Sequence, residues 1–125
     1  MLYKNILLID DDPEDASLFL DAVDLLGRDI SVRWIGSPEQ ALDELKTGMN
    51  VPDLIFLDYN MPRINGLEML GRMKNNSHLA GIAVILISSP AEEFMDKSLQ
   101  DSSIMRYIKK PNSFAELTSL LDAIL

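Results

Sequence analysis

"LIFLDYN" (residues 54–60) is an apolar run that ends on a carboxylate, Asp58, with Asn60 two positions later. Alone it says little, because strands must surface somewhere and Asp is a common turn residue. "ILLIDDD" (residues 6–12) repeats the pattern and ends on three carboxylates in a row. Whether those two ends meet in space decides both the fold and the chemistry.

Outward from these stretches, the apolar runs Ile6–Ile9, Leu54–Leu57, Ile82–Ile87 and Ile104–Ile108 read as strands. Ile30–Ile35 adds another, with Ile30, Val32 and Trp34 alternating with Ser31 and Arg33. Helical spacing fills the gaps. Pro13 to Leu26 sets Leu18, Phe19, Ala22, Val23, Leu25 and Leu26 on one stripe, with Asp12 as cap, Pro13 in the first turn and Gly27 closing it. Ser37-Pro38 opens a helix carrying Ala41, Leu42 and Leu45, and Gly48 follows its end. Leu67, Leu70 and Met73 mark a third helix; Phe94, Met95 and Leu99 mark a fourth. Asn112 caps a fifth, with Phe114, Leu117, Leu120, Leu121 and Ile124 on its apolar face.

Strand and helix alternating five times predicts an α/β domain with a parallel sheet. Strands buried on both faces are continuously apolar, so strands one, three and four belong in the centre. "ISVRWI" and "IMRYI" each carry an Arg and belong at the edges. Right-handed crossovers then favour the order 2-1-3-4-5, a doubly wound, flavodoxin-like sheet. In that order strands one and three are neighbours and the chain reverses between them. Ligands bind such sheets at the carboxyl ends of the strands, at that switch point. Asp10, Asp11 and Asp58 all fall there, so the two ends are expected to meet.

The 125 residues fit one domain, 1–125, and the 47% hydrophobic content suffices for a core. Without cysteine there are no disulfides or thiolate metal sites, and a reducing cytoplasm is the expected setting. No signal peptide is apparent, and no apolar run approaches the ~20 residues of a membrane helix. A net charge of -9 disfavours nucleic acid and anionic membrane, and favours a basic partner or a bound cation.

Clustered carboxylates repel, and a hard divalent cation removes the conflict. Mg²⁺ takes one or two carboxylates, a carbonyl and several waters or phosphate oxygens. Strand four exits into "ISSP", bringing the hydroxyl of Ser88 or Ser89 to the same edge. Strand five exits into "KKP", bringing Lys109 or Lys110. A carboxylate nucleophile, Mg²⁺, a hydroxyl and a lysine suit phosphoryl transfer to Asp.

The motifs "ILLIDDDPED", "PDLIFLDYNMPRINGLEML", "AVILISS" and "YIKKP", in that order over nearly the whole chain, resemble the receiver domains of two-component response regulators. The resemblance implies Asp58 as phosphoacceptor. It implies Asp10 and Asp11 as the acidic pair, with Asp11 and Asp58 contacting Mg²⁺, Asp10 acting largely through water and the Asn60 carbonyl completing the shell. Ser88 matches the hydroxyl that follows the phosphoryl group, Lys110 the lysine before a proline whose peptide bond is usually cis, and Tyr107 an aromatic switch. It further implies phosphotransfer from a sensor histidine kinase or histidine phosphotransfer protein. A protein-binding surface around helix four, strand five and helix five then switches towards a downstream target; that face permits a homodimer without demanding one. The chain is similar to stand-alone receivers, so that no output domain is expected after it. The opening "DDDPED" is faintly similar to receivers serving phytochrome-type kinases, which by itself assigns no partner.

This chain departs from the family pattern at Ser88, where Thr is commoner, at Pro90 and at Asn112. Other readings stand beside the first. A phosphatase of the haloacid dehalogenase type wants a second carboxylate where Asn60 stands, and a flavin site wants a phosphate-cradling loop where the chain has "DDDPED". The remaining alternative is a degenerate receiver that binds partners without phosphorylation. His78 is expected on a surface loop, and Met95 and Met105 are candidates for an adaptable partner surface.

Overall fold

The computed structural model describes residues 3–48, 51–88 and 104–125, without the side chains of Ser88 and residues 104–107. The strands are β1 (Asn5–Ile9), β2 (Ser31–Ile35), β3 (Leu54–Asp58), β4 (Ala83–Ser88) and β5 (Ile104–Lys109). The helices within the described residues are α1 (Pro13–Leu25), α2 (Pro38–Lys46), α3 (Gly66–Lys74) and α4 (Phe114–Ile124). The fourth helix expected over Phe94, Met95 and Leu99 lies outside the described residues, as do Ser89 and Pro90.

All five strands pair in parallel in the order β2-β1-β3-β4-β5, as the apolar patterning predicts. The central strands are apolar throughout because both faces are covered. Alternate residues feed two cores: Leu7, Ile9, Ile55, Leu57 and Leu86 pack with α2 and α3, while Ile6, Leu8, Phe56, Ile85 and Ile87 pack with α1 and α4. Phe19 meets Phe56 edge-on with centroids 4.9 Å apart, seating α1 over β3. An ion pair from Arg28 to Asp122 ties the end of α1 to α4.

Caps set where each helix begins. Asp12, Ser37, Asn65 and Ser113 each accept a backbone N–H from the first turn, and Pro13 and Pro38 follow the first two. The cap of α4 is thus Ser113 and not Asn112: "SFAE" supplies a serine with Glu116 three residues on, and Glu116 accepts the N–H of Asn112. The expected stripe on α1 also needs correction. Ala16, Phe19, Ala22 and Val23 are buried, whereas Leu18 and Leu25 are 43% and 66% exposed. At 100° per residue these two, seven apart, share the neighbouring face.

Candidate functional site

β1 and β3 are hydrogen-bonded neighbours with Ile9 opposite Leu57, so the residue that ends each strand emerges at one edge. There Asp10, Asp11 and Asp58 each offer a carboxylate oxygen, all within 4.8 Å of one another. Asp10 and Asp58 are buried, at 5% and 3% exposure, and Asp11 is exposed.

Local turns aim these groups. Asp10 accepts the N–H of Asp12 at 2.9 Å, and Asp58 accepts that of Asn60 at 3.1 Å. Each is an Asx turn, which fixes a carboxylate where its strand gives way to a loop. Two further contacts, unread in the sequence, hold the strand ends. The Trp34 indole N–H donates to the Asp10 carbonyl at 2.7 Å. The Tyr59 N–H donates to the Ile87 carbonyl at 2.8 Å, tying the loop after β3 to β4. Gly66 explains the tightness of that loop. A Cβ there would stand 2.8 Å from Leu86 Cδ1 and 2.9 Å from the Tyr59 Cα, so only glycine lets α3 start so close beneath Asp58.

Burial pushes the Asp10 carboxyl up to about 7, against the pull of the Asp12 N–H and with the help of the Asp58 charge. Asp58 is raised as well, mainly by burial, which the Lys110 charge, the Asn60 N–H and Asp10 partly offset. These two acids cannot both ionise comfortably unless positive charge is added. Hard oxygen donors in want of a cation suit Mg²⁺ better than a softer metal.

Lys110 follows β5 and lies near the cluster, but its Nζ is 2.6 Å from Asp15 Oδ2. Burial pulls its ammonium down; the Asp15 hydrogen bond and the charges of Asp58 and Asp10 outweigh that, and it is raised overall. Its bond to Pro111 is trans, as is every peptide bond among the described residues, so the cis bond implied by the resemblance is not found. The trans form is the intrinsic preference of an X-Pro bond, by about 0.5–1 kcal/mol. Asp15, on the first turn of α1, is a site residue that the sequence reading missed.

Ser88 ends β4 opposite Lys109, and Tyr107 pairs with Leu86. The side chains of Ser88 and Tyr107 lie outside the described residues, as does that of Met105. Asn60 is exposed beside Asp58, and His78 is exposed on the turn after α3.

Residues 6–122 match the sequence profile of the response regulator receiver domain. The chain belongs to this family. Among curated proteins, the receiver is 28% identical to the polar-differentiation response regulator DivK of Brucella ovis, covering 88% of this chain and 86% of DivK. It is 27% identical to the probable methanogenesis regulatory protein FilR2 of Methanothrix harundinacea, covering 95% of this chain and 79% of FilR2. Several other curated relatives are longer, and the receiver spans between 28% and 53% of their length. Among solved structures, the phosphorylated cyanobacterial phytochrome response regulator RcpA superposes with a TM-score of 0.86 at 26% identity, covering 98% of this chain and 91% of RcpA. No helix of the described residues is long and apolar enough to cross a membrane.

Proposed function

We propose that this receiver, as a single domain over residues 1–125, accepts a phosphoryl group on Asp58 from a sensor histidine kinase or a histidine phosphotransfer protein, in a Mg²⁺-dependent reaction. The observation that carries this reading is the meeting of Asp10, Asp11 and Asp58 at one sheet edge, with the Lys110 ammonium beside them. The phosphorylated state of RcpA supports it.

Asp11, Asp58 and the Asn60 carbonyl would hold Mg²⁺, with Asp10 reaching it through water. When bound, the ion supplies positive charge that relieves the buried carboxylates and neutralises phosphoryl oxygens. The chain's own groups do the rest. One oxygen of Asp58 attacks phosphorus in line, the P–N bond of the donor phosphohistidine breaks, and the imidazole keeps the bonding pair. The Asx turn at Asn60 holds the attacking carboxylate at the mouth of the site. Lys110 stabilises the charge on the phosphoryl oxygens, and Ser88 hydrogen-bonds one of them. Aspartyl phosphate adds negative charge and acceptors at Asp58, draws Ser88 and Lys110 inward, and shifts Tyr107 with the face around β5 and α4. That face then meets a downstream protein target. The domain turns over no diffusing substrate and catalyses only its own phosphorylation and dephosphorylation; an intracellular, cytoplasmic setting follows from its donor.

Borohydride trapping tests the assignment. Acetyl phosphate and Mg²⁺ followed by borohydride should convert residue 58, and no other, to homoserine in the peptide map. Homoserine at another Asp would move the acceptor; none at all would favour the degenerate receiver that binds unphosphorylated.

A further inference from the structure

We propose that Asp15 is a positioning residue that holds Lys110 at rest and competes for it with the phosphoryl group on Asp58. This rests on the reading of Asp58 as phosphoacceptor and adds to it a residue on α1 that sets how readily the phosphoryl group is held.

The pairing is short and charged on both sides: Lys110 Nζ lies 2.6 Å from Asp15 Oδ2, with the side chains 27% and 33% exposed. Such charge-assisted hydrogen bonds are about twice as strong as neutral ones. Within the described residues, this ammonium forms its ion pair with Asp15, and not with Asp10 or Asp58, whose charges it nevertheless feels. Asp15 is also well anchored. It follows Pro13 and the Asp12 cap on the first turn of α1, whose next residue, Ala16, is fully buried. Apolar groups on one side screen the pair poorly: with Asp10 it borders a cavity of about 370 Å³ walled by Leu8, Phe19, Ile87 and Leu117.

A lysine bound to a carboxylate presents a nearly neutral pair to an incoming phosphoryl group, not a cation. The ammonium must therefore exchange Asp15 for a phosphoryl oxygen. Linkage makes the exchange reciprocal: whatever Asp15 takes from phosphoryl affinity, phosphorylation takes from the Asp15–Lys110 pair. Phosphorylation of Asp58 thus frees a carboxylate on α1, beside the junction of β5 and α4.

The test measures affinity for beryllofluoride, a phosphoryl stand-in, in the presence of Mg²⁺, together with the rate of phosphorylation by acetyl phosphate. Wild type is compared with Asp15→Asn, Asp15→Glu and Glu14→Gln, the last removing an exposed charge from the same turn without touching Lys110. Asp15→Asn should bind the anion about fivefold tighter, at the low end of ordinary coupling factors. Asp15→Glu should restore wild-type affinity, and Glu14→Gln should stay within about twofold because exposed charges are screened. The Lys110 Nζ resonance should shift on anion binding in wild type and stand already displaced in Asp15→Asn. Equal affinities for Asp15→Asn and Glu14→Gln, or a Lys110 resonance unmoved by Asp15→Asn, would overturn the proposal while leaving Asp58 as acceptor. A wild type that takes neither beryllofluoride nor acetyl phosphate would overturn the phosphoacceptor reading, and the competition with it.

Discussion

Asp10→Asn should stabilise the metal-free receiver, and the gain should grow with pH. Asp10 is 5% exposed, and burial raises its carboxyl from 3.8 to about 7. Its folded pKa lies above its unfolded one, so the folded state keeps a proton that the unfolded chain has lost between those values. Stability is therefore greatest below the unfolded pKa and falls as pH rises through the folded one. At about 1.4 kcal/mol per pH unit, the loss approaches roughly 4 kcal/mol above pH 7. Relaxation and water reaching the sheet edge reduce this to roughly 2 kcal/mol. Asparagine has the shape of the protonated acid. Its carbonyl oxygen can accept the Asp12 N–H that Asp10 accepts at 2.9 Å, and its amide can donate towards Asp58. Urea unfolding with chelator present, followed through the sole tryptophan, Trp34, measures the effect. The variant should gain roughly 2 kcal/mol at pH 8.5 and little at pH 4.5, and saturating Mg²⁺ should narrow the gap by stabilising wild type. An equal gain at both pH values, or none at pH 8.5, would refute the argument from burial.

Three further outcomes follow from the same contacts. Gly66→Ala places a Cβ 2.9 Å from the Tyr59 Cα and 3.2 Å from the Asp58 carbonyl, and should cost about 1–3 kcal/mol in urea unfolding and weaken Mg²⁺ binding. Arg63 has φ 66, a left-handed conformation that costs a non-glycine residue about 1 kcal/mol. Its 3.5 Å pair with Glu39 is largely exposed, so Arg63→Gly should be neutral to stabilising, by up to ~1 kcal/mol in the same assay. Because the Trp34 indole donates to the Asp10 carbonyl, Mg²⁺ should change its emission, and Asp11→Asn should raise the Mg²⁺ needed at least about tenfold.

The sheet was legible because its central strands are apolar on both faces, and β1, β3 and β4 admit few orders once Arg33 and Arg106 mark the edges. The meeting of Asp10, Asp11 and Asp58 followed from that order alone. Periodicity failed where it could not resolve a face: Leu18 and Leu25 are as apolar as Phe19, and only packing against Phe56 tells which side of α1 turns inward. The cap of α4 went to Asn112 because both Asn and Ser cap well, and Glu116 decides between them. Asp15 stayed hidden for a related reason. In "DDDPED" it reads as one more acid favoured by the helix dipole, and its partner lies 95 positions on, across a contact that no local pattern encodes.

Everything proposed for this receiver depends on Asp58 carrying the phosphoryl group in a metal-dependent reaction. Intact-protein mass after incubation with acetyl phosphate tests it most directly, for wild type and Asp58→Asn, each with Mg²⁺ and with chelator. One phosphate adduct is expected on wild type with Mg²⁺ and none in the other three samples. An adduct that survives Asp58→Asn, or forms equally well in chelator, would contradict it.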